Sequence, residues 1–232
     1  MSWVWSNLDL ILERTLEHLV LSVPPIILSF LLSLPLGWLA NRYRVSRGII
    51  LTLGGLLYAI PSLPLLVVLP FIVGIMLRSQ ANMIIALTLY GIALMVRVVA
   101  DALDSVDPEI RQAATAVGFS RWSEFWQVQL PLAGPVLLAG LRVVAVSTVS
   151  LVTVGALIGV SSLGSLFTDG FQRNIQAEVL SGLVATVALA LVLDAALVWL
   201  GRLVMPWTRG TRTSPERTTV DLVRPATVGA AK

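Results

Sequence analysis

Apolar residues run along this chain in five long, almost uncharged stretches, and the segments between them gather most of the arginines and acids. Residues 19–40 contain no charge, and residues 48–77 contain none over a run longer than one bilayer crossing requires. A third stretch, 81–100, carries Arg97 near one end. A fourth, 132–167, has Arg142 near its start and Gly155, Gly159 and Gly164 toward its end, and a fifth, 179–203, carries Asp194. About 20 consecutive apolar residues suffice to cross the hydrocarbon core as a helix, so each stretch predicts a transmembrane helix. Pro61, Pro64 and Pro70 interrupt the second stretch. They predict either a kinked helix or a helix followed by a re-entrant piece, because carbonyls freed by proline survive at depth only where protein or water satisfies them. The expectation is an all-α integral membrane protein of five spans, or six if 48–77 crosses twice.

Composition agrees. Hydrophobic residues make up 56% of the 232 positions and charged residues 12%, with a mean hydropathy of +0.88. Soluble domains are about a quarter charged. Cysteine is absent and His18 is the single histidine, which argues against thiolate or histidine metal sites and against a disulfide frame. The only lysine is Lys232, so the chain lacks the lysine that a phosphate-binding loop needs and cannot hydrolyse ATP by that route. No cofactor and no enzymatic activity are expected of it, and no nucleic-acid partner. Met1 to Trp5 carries no basic residue ahead of an apolar run, and no removable signal is expected.

The arginines orient the chain. Five spans put Arg42, Arg44 and Arg47, the segment 101–131 with Arg111 and Arg121, and the tail from Arg202 onward on one face. The other face holds Arg14, Arg78 and Arg173. Positive charge concentrates on the cytoplasmic side of membrane proteins, so the N-terminus is expected outside and the C-terminus inside. Residues 1–18 are then an extracytoplasmic segment, 19–205 the membrane domain and 206–232 a cytoplasmic tail. That tail is rich in Thr, Arg, Pro and Ala and is expected to be disordered.

Residues 101–131 are amphipathic rather than lipid-soluble. Asp107 suits a helix N-cap, Pro108 the first helical position and Glu109 the positive helix end. A helix follows with Ile110, Ala113, Ala114 and Val117 on one face, and Gly118 supplies a left-handed stop. Ser120 caps a second short helix, 121–129, that presents Trp122, Phe125, Trp126 and Gln129 before Leu130 and Pro131 open the next span. The small side chains of Ala113, Ala114 and Gly118 permit close approach by another backbone.

Gln112, Ala113 and Ala114, then three residues, Gly118, nine residues, Val128, one residue, Leu130 and Pro131 resemble the EAA loop of ABC-importer permeases. Gln112 replaces that pattern's glutamate and Val128 its isoleucine. The resemblance implies a type I importer transmembrane domain whose coupling helix, including Phe119 beside Gly118, docks in a cleft of a separate ATPase. Tyr58 through Leu66, with Ile60, Pro61, Ser62 and Leu63 at its centre, is similar to the permeases for quaternary-amine osmoprotectants such as glycine betaine, carnitine and choline. Leu89 and Tyr90 ahead of Arg97, Val106 to Pro108, and Leu157 to Gly164 add to that likeness, with Ser161 and Ser162 as departures. Methionine-importer permeases share the loop and a run like Gly170 to Arg173. The implied partners are ABC ATPase subunits carrying ATP and magnesium, a second permease (identical or sister), an extracytoplasmic binding protein, and the lipid bilayer. Pro61, Ser62, Pro64, Tyr90, Gly159, Gly164 and Asp194 are the candidates for the translocation path and its bending points.

Other residues have plainer roles. Asp194 pairs with Arg142 or sits where water reaches it, and Arg97 and Arg142 are placed to snorkel. Trp199 and Trp207 suit the membrane interface, as does His18. Tyr58, Tyr90, Phe71 and Trp38 are candidates for an aromatic contact with a quaternary ammonium. A self-contained secondary transporter would need internal repeats and ionisable relays, and an intramembrane enzyme a nucleophile–base or metal pair. Neither set is visible.

Overall fold

The computed structural model describes residues 2–207, so the tail beyond Trp207 lies outside it. Ten α-helices follow one another: α1 (Ser2–Ser6), α2 (Leu8–Arg42), α3 (Arg44–Ala59), α4 (Ser62–Val73), α5 (Gln80–Asp104), α6 (Pro108–Ala116), α7 (Arg121–Glu124), α8 (Leu130–Val152), α9 (Gly164–Gln172) and α10 (Gln176–Val204). Four helical stretches are long and apolar enough to cross a bilayer unbroken, and α3 with α4 makes a fifth that bends by 107°. The bend follows from Pro61, whose ring drives the residue before it out of the helical region. Ile60 and Pro61 are both extended, at φ/ψ of −67/126° and −61/139°. Neither half reaches bilayer length alone, at 16 and 12 residues, so 48–77 does not cross twice and the six-span alternative falls.

Helix α5 is the axis of the bundle, packed along α2 and also against α3 and α8. It threads two cores, one around Met95, Val99, Leu103, Phe125, Leu137 and Val144, the other around Leu21, Leu66, Met83, Leu87, Val152 and Ile158. Close approach requires glycine here. A Cβ on Gly91 would stand 2.5 Å from that of Ser29, and Cβ atoms on Gly37 and Gly140 would run into Val99 and Val98. Helix α10 lies outside this core and touches it mainly through α8 and α9.

Two features of the first span go beyond its apolar run. Helix α2 begins at Leu8 rather than near residue 19, so most of 1–18 is continuous with the span. His18 faces neither lipid nor solvent. It is fully buried, and its ring Nε2 bonds the Val149 carbonyl at 3.0 Å, joining α2 to α8. A polar ring at depth stays only where a partner is found.

Candidate functional site: the loop between α5 and α8 and the break between α3 and α4

The loop is organised by helix caps. Asp107 accepts the Glu109 amide at 2.8 Å and starts α6; the Ser120 hydroxyl accepts the Ser123 amide at 3.3 Å and starts α7. Between them Gly118 takes φ +95°. The Phe119 amide donates to the Ala114 carbonyl at 3.1 Å and the Gly118 amide to Thr115 at 3.0 Å, the paired bonds of a Schellman stop. The second helix differs from expectation: α7 ends at Glu124 and passes through one π-helical stretch, Phe125–Gln129, directly into α8. The Leu130 amide donates to the Phe125 carbonyl just before Pro131, which has no amide to give. A wide turn followed by proline joins loop and span without a hinge.

Beneath α6 the loop is anchored to the bundle. Trp38 of α2 meets Trp122 and Phe125 edge-on at 6.4 and 6.2 Å. Glu124, buried, accepts from Gln129 Nε2 at 2.6 Å and faces Arg111 at 3.7 Å. Asp101 and Asp104 at the end of α5 hold Arg47 at 3.3 and 2.6 Å. Helix α6 itself is exposed almost all round: Ile110, Gln112, Ala113, Val117 and Gly118 are exposed, and Ala114 alone on it is buried.

A second feature lies halfway along α5. The Tyr90 hydroxyl donates to the Ile60 carbonyl, one of those freed where α3 breaks at Pro61. Its ring meets Tyr58 edge-on at 6.2 Å. Around them opens a chamber of about 510 Å³ whose other walls include Pro61, Ser62, Ser147 and Ser150. Thus Pro61, Ser62 and Tyr90 come together as a site. Pro64 lies one turn on in α4 and is not part of the wall. Gly159 and Gly164 sit in the turn after α8, where buried Ser162 accepts the Gly164 amide at 3.1 Å and fixes the chain.

Asp194 is away from the chamber. Arg142 clasps it from Nε and Nη2 at 2.6 and 2.8 Å, so Arg142 pairs between α8 and α10 instead of snorkelling. Phe71 is exposed on α4 and Trp38 belongs to the loop cluster, so neither joins the tyrosines. Reading the sequence missed Ser147 and Ser150, whose signal was two hydroxyls one helical turn apart on an apolar span. It also missed buried Asn82, which donates to the Leu66 and Leu77 carbonyls at 2.9 Å and ties α4 to the start of α5.

This architecture matches solved importers. The MetNI methionine ABC transporter in an inward-facing conformation superposes with a TM-score of 0.76 at 23% identity, covering 86% of this chain and 98% of that one. An amino acid ABC transporter with histidines gives 0.68 at 15%, covering 88% and 96%; these likenesses speak for the fold alone. In sequence, the osmoprotectant import permease protein OsmY of Salmonella typhimurium is 31% identical over 195 residues, 83% of this chain and 81% of that protein. The glycine betaine/carnitine/choline permease OpuCD of Bacillus subtilis is 27% identical over 197 residues, 84% and 85% of the two chains. The model of the binding-protein-dependent transport system inner membrane component matches residues 33–210. With that match over most of its length, and with the loop and spans described above, the chain belongs to the family of inner membrane components of binding-protein-dependent transport systems.

Proposed function

We propose that this chain is the pore-forming half of an importer for quaternary-amine osmoprotectants, the glycine betaine, carnitine and choline class. It pairs with a second permease, takes solute from a binding protein outside, and is driven by ATPase subunits seated on α6. The N-terminus lies outside and the loop faces the cytoplasm, in keeping with the arginines at Arg42, Arg44, Arg47, Arg111 and Arg121. One observation carries this reading: α6 is capped at its start, closed by the Gly118 turn and exposed, and the α7 that follows it runs without a break into α8. A force on α6 therefore moves a span. The permease supplies two packings of similar free energy, and ATPase closure selects one through the differential contacts it makes with each. The Tyr58–Tyr90 chamber at the α3/α4 break is the station on the solute path, since a quaternary ammonium favours aromatic faces. The substrate class rests on the relatives, OsmY and OpuCD, and on the Tyr58 to Leu66 run.

Uptake of labelled glycine betaine into proteoliposomes holding permease, ATPase and binding protein tests this directly. Ala113→Trp, at an exposed position of α6, is expected to cut ATP-driven uptake by about tenfold or more while the permease still inserts. Gly118→Asp should do the same by straining the left-handed turn, at about 1 kcal/mol. Wild-type rates in both variants would remove the loop from the mechanism.

A further inference from the structure

Arg97 is an arginine on a membrane-spanning helix that no acidic side chain among the described residues answers. It lies seven residues before the end of α5, about 10 Å from that end along the axis. It is exposed and has no hydrogen bond or ion pair among the described residues. Its neighbour in space, Arg47, is held by Asp101 and Asp104. A charged side chain on a spanning helix is retained where it faces a water-filled cavity, and there it is a candidate for function. Arg97 does line one, a cleft of about 590 Å³ shared with Arg44, Arg47, Thr52, Gly55 and Leu56.

The cleft is the next station after the tyrosine chamber. Arg97 follows Tyr90 by seven residues, two helical turns, so the two side chains leave nearly the same face of α5 about 10 Å apart. Across the groove, Gly55 and Leu56 line the cleft and Tyr58 the chamber. A solute leaving the aromatic rings toward the loop end passes the guanidinium. There, beside Arg97 and the neighbouring Arg44 and Arg47, a carboxylate is attracted and a bare cation repelled.

Resting on the substrate class proposed above, we propose that Arg97 is a charge filter on the path. It favours osmoprotectants carrying both a quaternary ammonium and a carboxylate, such as glycine betaine and carnitine, over choline, which has no carboxylate. Arg97 is a specificity-determining residue that acts after the binding protein has made its own selection.

The test measures ATP-driven uptake of glycine betaine and of choline into proteoliposomes of the whole importer, in wild type, Arg97→Gln and Arg97→Lys. Arg97→Gln is expected to lower glycine betaine uptake about tenfold and to leave choline uptake equal or higher, while the variant still copurifies with the ATPase. Arg97→Lys, which keeps the charge, is expected to retain most of the glycine betaine rate. Equal losses for both solutes, no loss for either, or a lysine variant as impaired as the glutamine variant would overturn the filter. Where the wild type does not carry choline, the glutamine-to-lysine contrast decides. A wild type that carries choline but no carboxylate-bearing solute overturns the filter and leaves the permease standing. One that carries no quaternary amine overturns the substrate class and the filter with it.

Discussion

Helices α5 and α10 are close to equal in apolar character and length, yet 61% of the apolar window of α5 is buried within the chain against 6% for α10. The difference lies in what their surfaces meet. Helix α5 carries Ala86, Gly91, Ala93, Ala100 and Ala102 on buried faces, which lets α2, α3 and α8 close around it. Helix α10 turns Leu183, Val184, Val187, Leu191 and Val192 outward, where lipid is as good a neighbour as protein. Their polar residues differ in the same way. On α5, Asn82 and Tyr90 bond backbone that a break or a turn has freed, and so fix α4 and the α3/α4 break against α5. On α10, Asp194 serves one partner, Arg142. The conclusion is that hydropathy identifies a span and small-residue placement identifies the span around which others pack.

That contrast can be broken by substitution. Gly91→Leu on α5 should have the largest effect, forcing α2 off α5 at a cost of about 3 kcal/mol and sharply reducing folded permease recovered in detergent. Asp194→Ala on α10 should lower the thermal midpoint less, and Asp194→Ala combined with Arg142→Ala should recover part of the loss, as a double-mutant cycle would show. Tyr90→Phe, removing only the hydroxyl held by Ile60, should cost about 1 kcal/mol and slow uptake without impairing insertion. Leu191→Ala on the outer face of α10 should sit within about 0.5 kcal/mol of wild type; a larger loss would mean that a second chain covers this face.

Much of the loop was legible in the sequence because its signals are local. Asp107, Gly118 and Ser120 act within a few residues of themselves, and each does what its chemistry dictates. The continuity of α7 with α8 was not legible, since a π-helical turn before Pro131 depends on how the span is pulled against α2 and α5. The burial of His18 was not legible for a related reason: its partner, the Val149 carbonyl, lies 131 positions away.

The amino-acid order by itself determined that this is a multi-pass helical protein, where its crossings fall, and where the loop between α5 and α8 begins, turns and stops. Those features follow from the length of apolar runs and from side chains bonding their own neighbouring backbone. Tertiary structure alone decided that Tyr58 and Tyr90 share a chamber, which of the two readings of Asp194 holds, and that Arg97 has no ion-pair partner among the described residues. Such facts depend on which helix faces which, and that is set by the summed packing of small and large residues across spans rather than by any one stretch of chain.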